Sequence, residues 1–318
     1  AAAERVLDER TSSLRAQNDG WGLEFATAEG ESVVVPLAGI VRAWQPNALS
    51  FAGRAGIYAS RWGEFLLDDP REANSAGGVF PAIWGTVAMT LIMALLVAPF
   101  GVLAALYLRE YASRGPVTAA VRVAINNLAG VPSIVFGLFG LGFFIGFLGR
   151  GLDAGAAEPH WGKPAILWAS LTLAVMTLPL VIVATEESLR AITPGLREAS
   201  LALGATKLET ILKIVLPEAL PGILTGGILA VGRAGGEVAP ILFTGAAYYM
   251  RDLPKAPTDQ FMDLGYHVFI LSTQSPDIEK TRPILFATVL ALLLLTLSLN
   301  LIAVLVRARV RRKMRAGH

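Results

Sequence analysis

Two opposite charges sit in a stretch that has little room for them. Arg233 and Glu237 lie in a run of Gly226-Gly227, Gly232-Arg233, Gly235-Gly236-Glu237 and Pro240, within a long apolar segment. A charged side chain near the middle of a bilayer costs about 2.5–3.5 kcal/mol, so it should face a partner or a water-filled route. Four residues apart, the two side chains share a helical face and can reach each other. The flanking glycines, Gly232 and Gly236 among them, remove bulk and let a helix or an ion approach closely. Arginine is always cationic, and its planar fork of donors matches a tetrahedral oxyanion. A carboxylate beside it would hold the guanidinium and temper its grip, so that a bound anion still leaves. This chemistry suits phosphate, sulfate or molybdate alike. The same pair would also arise if the two charges only neutralise each other inside a helix bundle.

A second constellation lies between two apolar runs: Glu198-Ala199-Ser200, then Gly204, then Ile214, Leu216 and Pro217. Thr193-Pro194 reads as a helix start, because proline fits the first turn and threonine can cap free N–H groups. Gly204 allows a helix stop, and Thr206 with Glu209 reads as a capping box. Pro217 is expected to end the second helix before the next apolar run. Two short amphipathic helices joined at a glycine form a knob, and a knob suits a groove in a partner. Without a partner the pattern describes a helix pair lying on a membrane surface. The spacing resembles the EAA loop of ATP-binding-cassette importer permeases: Glu-Ala-Ala, three residues, Gly, nine residues, Ile, one residue, Leu-Pro. Ser200 replaces the second alanine. In that family the loop docks into a cleft on the ATPase subunit, which implies a chain that is not itself an enzyme.

The elements that carry these residues follow from composition. Of 318 residues, 54% are hydrophobic and only 16% charged, against roughly a quarter charged in soluble domains. There is no cysteine, hence no disulfide or thiolate metal site, and the three histidines (His160, His267, His318) are too scattered to suggest a metal centre. Five stretches reach the twenty or so apolar residues that a bilayer requires: about 79–108, 123–149, 165–184, 219–243 and 284–306. Residues 187–218 form the coupling loop between the third and fourth.

Basic residues orient these spans. Arg109, Arg114, Arg122, Arg190, Arg197, Lys207, Lys213 and six in the tail (Arg307, Arg309, Arg311, Arg312, Lys313, Arg315) make thirteen on one side. Arg150, Lys163, Arg251, Lys255, Lys280 and Arg282 make six on the other. The tail and the knob are therefore expected in the cytoplasm and residues 1–78 outside, in a multi-pass protein of the cell inner membrane. An odd number of spans with these ends predicts a further helix upstream of Ala1. Beside a spanning helix the basic tail fits anionic lipid, at about 1 kcal/mol per residue, rather than nucleic acid.

Residues 1–78 hold eleven acids and seven arginines and no run of spanning length. Leu23–Ala28 and Ser32–Pro36 alternate around Glu29-Gly30, which predicts a hairpin. Residues 51–67 have helical spacing, with Ile57, Trp62, Phe65 and Leu66 on one face. This small α/β extracytoplasmic segment either contacts a solute-binding protein or is a solvated decoration. Pro132 interrupts the second span, as a hinge or as a packing kink. Asn126 just before it is a gate residue or an interfacial cap. Glu186 and Glu187 either bond Arg190 or Arg122 or form a solvated helix end.

Longer motifs narrow the family. Residues 78–86 (GVFPAIWGT), 99–110 (PFGVLAALYLRE), 128–140 (LAGVPSIVFGLFG), Thr185-Glu186-Glu187 and 216–240, ending GRAGGEVAP, resemble the PstA-type permease subunits of phosphate importers. The resemblance covers about three quarters of the chain. It implies an all-α polytopic helix bundle of the type I importer class. The implied partners are a PstC-like permease, a PstB-like ATPase dimer and a PstS-like phosphate-binding protein, with Arg233 and Glu237 lining a path between the permeases. No Gly-x-x-x-x-Gly-Lys-Ser/Thr loop occurs, so ATP and magnesium would be handled by the partner ATPase and no cofactor by this chain. The alternatives are the same fold carrying another oxyanion, and a stand-alone secondary transporter or membrane enzyme.

Overall fold

Backbone at lipid depth finds no water, so the apolar runs must satisfy their N–H and C=O groups internally, as helices do. The computed structural model describes residues 10, 13–14, 21–26, 30–37, 40, 42, 44, 48–74, 76–250, 252–275 and 278–316. Residues 27–29 of the hairpin, Arg251, His318 and the side chains of Lys280, Lys313 and Arg315 lie outside that description. Contacts divide the chain into two units, Ala1–Arg61 and Trp62–His318. The second begins upstream of the expected start at Val79.

In the first unit β1 (Gly22–Ala26) pairs antiparallel with β2 (Ser32–Pro36), Gly22 opposite Pro36 and Ala26 opposite Ser32. The expected hairpin is therefore present. Helix α1 covers Phe51–Leu67, and Ile57, Trp62, Phe65 and Leu66 are half-buried on it. A two-residue pairing, β3 (Pro70–Arg71) with β4 (Ala76–Gly77), leads into the helical body.

Among the described residues five helices are long and apolar enough to cross a membrane: α2 (Phe80–Tyr111), α4 (Ser133–Leu152), α5 (Ile166–Arg190), α7 (Lys207–Ala234) and the stretch Thr281–Arg312 within α10 (Ile278–Ala316). Between them lie α3 (Pro116–Leu128), α6 (Pro194–Ala202), the short α8 (Ile241–Thr244) and α9 (Leu264–Thr273). Helix α5 is the centre: 67% of its most apolar window is buried, against 6% for α10, whose apolar surface therefore lies on the outside. Glycines set the spacing around α5. A Cβ on Gly101 would lie 2.6 Å from Val181 Cγ1, one on Gly226 2.7 Å from Ala184 Cβ, and one on Gly222 against the Ser188 hydroxyl. Backbones approach this closely only where side chains are absent.

Three expected boundaries change. The second span starts at Ser133, because 116–128 forms the separate helix α3. Pro132 has no N–H and disfavours a helical Val131, so it precedes α4 instead of kinking a continuous span. The fourth span stops at Ala234 rather than running to 243. Gly235 and Gly236 each cost about 1 kcal/mol in a helix, and Pro240 cannot continue one. Pro217 does not end a helix: α7 runs from Lys207 through it. A π-wound segment, Ile211–Val215, shifts the register so that the Leu216 N–H donates to Ile211 O, and the proline follows where the ladder changes step.

The segment after α7 is irregular and is fastened to α2 through Asp263. Its Oδ2 lies 2.7 Å from Thr86 Oγ1, and its Oδ1 accepts the Tyr266 N–H at 2.9 Å, capping α9. Thr86 Oγ1 also accepts the Leu264 N–H at 2.9 Å. Thr86, Asp263 and Leu264 are all buried. Irregular backbone is tolerated at such depth only where protein supplies partners. Thr86→Val keeps the shape and removes them, stranding Asp263 Oδ2 and the Leu264 N–H. At about 1–3 kcal/mol per buried unpaired group, the thermal unfolding midpoint in detergent should fall clearly. Thr90→Val, which loses only a back-bond to Thr86 O, should change it little.

Candidate functional site

Two sites emerge, one at each end of α7. At its C-terminal end Arg233 occupies the last helical turn, where the helix dipole favours a cation. Sequence spacing placed it in the middle of a continuous span. The structure instead places it at a helix end, with Glu237 in the following turn. That turn is tight: Gly236 N–H donates to Arg233 O at 3.2 Å and Glu237 N–H to Ala234 O at 3.3 Å. The expected pair forms, Arg233 Nε donating to Glu237 Oε1 at 3.2 Å.

The manner of pairing matters. Only Nε is used, so the two terminal nitrogens of Arg233 have no protein acceptor among the described residues. The Arg233 side chain is 40% exposed and that of Glu237 18%. The carboxylate thus steers the guanidinium while leaving its two-pronged edge open, the edge that binds tetrahedral oxyanions in bidentate fashion. Around Gly236 there is open space. Gly232 is crowded: a Cβ there would lie 2.6 Å from Oδ1 of Asn300 on α10. Asn300 was missed in the sequence, although an amide within a spanning segment is a signal. It makes no hydrogen bond among the described residues.

At the other end lies the knob. Helix α6 starts after Thr193 with Pro194 in its first turn, but the threonine side chain caps nothing. It stops at Gly204, whose φ of +84° is left-handed backbone that favours glycine. The Gly204 N–H donates to Leu201 O and the Ala205 N–H to Ser200 O, the pair of bonds that closes a Schellman stop. Thr206 and Glu209 form the expected capping box at the start of α7. The second helix of the knob is therefore the first part of a spanning helix.

Ser200, the departure from the EAA pattern, has a reason. Its hydroxyl lies 2.9 Å from Thr210 Oγ1, with both residues buried, so the two helices are bonded to each other. Glu198, Ala199 and Pro217 are exposed, while Ile214 and Leu216 are half-buried at the root. The tip is apolar and bare: Leu203 is 89% exposed, with Leu201 and Leu208 beside it in sequence also exposed. These apolar side chains are bare and available to a partner.

Asn126 on α3 lines a cavity of about 210 Å³ with Arg122, Glu186, Glu187 and Arg190. Arg122 bonds Glu186 at 3.0 Å and Leu108 O at 3.1 Å, so Glu186 is paired rather than solvated. Pro132 sits at the break before α4.

Comparisons with known proteins agree with this architecture. The chain is 35% identical over 181 residues to the probable ABC transporter permease protein YqgI of Bacillus subtilis, covering 57% of this chain and 58% of that one. It is 37% identical over 211 residues to the phosphate transport system permease protein PstA 1 of Mycobacterium tuberculosis, covering 66% and 64%. For the PstA of Mycobacterium leprae the identity is 38% over 197 residues, covering 61% and 60%. The matches thus span about three fifths of these relatives' length. In fold it is similar to a chain of a bacterial alginate ABC transporter solved with an alginate-bound periplasmic protein, at a TM-score of 0.53, 16% identity, and 81% and 82% coverage. Residues 97–315, from within α2 to the end of α10, match the family model described as the binding-protein-dependent transport system inner membrane component. The chain belongs to that family.

Proposed function

We propose that this chain is the membrane-spanning permease subunit of an ATP-driven phosphate importer. The observation that carries the reading is Arg233: held through Nε alone, its two remaining donor nitrogens are open toward a tetrahedral anion. The phosphate-transport relatives support the choice of anion. The exposed apolar tip of the knob supports docking to a separate ATPase.

On this reading a PstC-like permease completes the path, a PstB-like ATPase dimer receives the knob, and a PstS-like protein delivers phosphate from outside. ATP and magnesium stay with the ATPase, and this chain performs no bond chemistry. The knob and the basic tail face the cytoplasm, and residues 1–78 face outside. ATP-driven closure of the ATPase dimer pushes the knob, the helices rock outward-open, and hydrolysis resets them. The Glu237 carboxylate keeps Arg233 from holding phosphate too tightly, because a like charge sits beside the bound anion.

ATP-driven phosphate uptake into vesicles containing all the neighbouring subunits tests the proposal. Arg233→Ala should lower uptake by about a hundredfold or more, a loss of order 3 kcal/mol, with co-purification of the ATPase unchanged. Sulfate uptake without phosphate uptake in the wild type would reject the anion assigned. Gly204→Val forces a β-branched residue into left-handed backbone, at a cost of at least about 1–2 kcal/mol. It should release the ATPase on affinity purification, while Gly195→Ala, an open position on α6, should keep it.

A further inference from the structure

One residue at the end of α2 holds both helices of the knob. The last turn of α2, Tyr107–Tyr111, is π-wound and carries Glu110. From α6, Arg197 Nη2 donates to Glu110 Oε1 at 3.0 Å, and these side chains are only 18% and 12% exposed. From the start of α7, Lys207 Nζ donates to the Glu110 carbonyl and lies 4.6 Å from the centre of the Tyr111 ring. Arg197 also donates to Leu189 O at 2.9 Å and to Ile192 O at 3.0 Å, reaching the last turn of α5 and the second residue past its end.

These ties bracket Gly204. One helix before it and one after it are bound to the same residue of a third helix, and the Ser200–Thr210 bond closes the knob internally. A displacement of the knob therefore either carries the end of α2 along or breaks a half-buried ion pair. Coupling of this kind requires a packed or bonded element that both ends bias. Helix α2 then passes the displacement on, because Gly101 leaves no gap between it and Val181 on α5.

Building on the importer reading, we infer that Glu110 is the positioning residue that transmits movement of the docking knob into α2, so that its loss separates ATP hydrolysis from uptake. It touches neither phosphate nor nucleotide. A residue that only props up the loop would lower hydrolysis and uptake together; a transmitting residue changes their ratio.

The test uses the complete transporter, with its second permease, ATPase and binding protein, reconstituted in vesicles with inorganic phosphate. Uptake and ATP hydrolysis are measured on the same preparation. Glu110→Gln should leave hydrolysis within about twofold and cut phosphate moved per ATP about tenfold, an ordinary coupling effect. Glu110→Asp, which keeps the carboxylate that accepts from Arg197, should hold that ratio within about threefold of wild type. The inference is overturned if Glu110→Gln leaves the ratio unchanged, if Glu110→Asp lowers it as far as Glu110→Gln does, or if both variants fail to assemble with the ATPase, which would make Glu110 a structural staple. Absence of ATP-driven uptake in the wild type is a different result, and it would reject the importer reading itself.

Discussion

The seam along residues 181–188 of α5 governs the rest of the molecule. Helices α2 and α7 both press onto it through glycines, Gly101 at Val181 and Gly226 and Gly222 at Ala184 and Ser188. In lipid no hydrophobic force drives helix to helix, so close contact must come from packing of small residues. That contact fixes two helices to one post. Their far ends, with Glu110 on α2 and Arg233 on α7, then have positions set by the post rather than by loops. A larger side chain at any of these glycines would have to move a helix, not merely a rotamer.

Much of this was legible in the sequence, and the reasons are physical. Spanning runs announce themselves because their composition differs so far from that of soluble chains. The capping box of Thr206 and Glu209 and the glycine stop at 204 were readable because both are local, set by a few consecutive residues. Arg233 and Glu237 were readable as a pair because neighbours in sequence stay neighbours in space. What escaped was either register or distance. Apolar composition carries no mark of where a helix ends, so 219–243 looked continuous although Gly235, Gly236 and Pro240 stop it. The interruption at Pro132 read as a kink within 123–149 rather than as the start of a new helix. Pro217 misled in the opposite sense, since a π-wound turn just before it lets the helix continue. Ser200 with Thr210, Arg197 with Glu110 and Asn300 with Gly232 join residues that no short pattern relates.

The end of α7 resolves a conflict that a continuous span would leave open. A guanidinium in mid-helix could still meet Glu237 four residues on, but it would lie away from the helix end that favours a cation and would face lipid or another helix. Placed in the last turn, Arg233 gains the favourable end of the helix dipole and a carboxylate from the turn that follows. The segment beyond is then folded back into protein: the Ala165 N–H donates to Thr244 O at 2.9 Å, and Gly137 lies close against Ala239 and Pro240. Breaking the helix is therefore what allows a charged group to sit beside apolar spans without being stranded.

Continuity at one end and interruption at the other give α7 a mechanical meaning. From Lys207 in the knob to Ala234 beside the charged pair it is one helix of 28 residues, roughly 42 Å long at 1.5 Å per residue. Had Pro217 ended a helix, the knob would hang from a loop, and a push on it would dissipate in backbone torsions. Since it does not, a displacement of Thr206–Thr210 is a displacement of the rod that carries Arg233. Glu110 adds a second lever from the same point, through α2. The two rods meet again on α5, so a push on the knob becomes a change of angle between helices that cannot separate at their middles. For the proposed importer, such a scissoring about a tight seam would open one face of a path while closing the other.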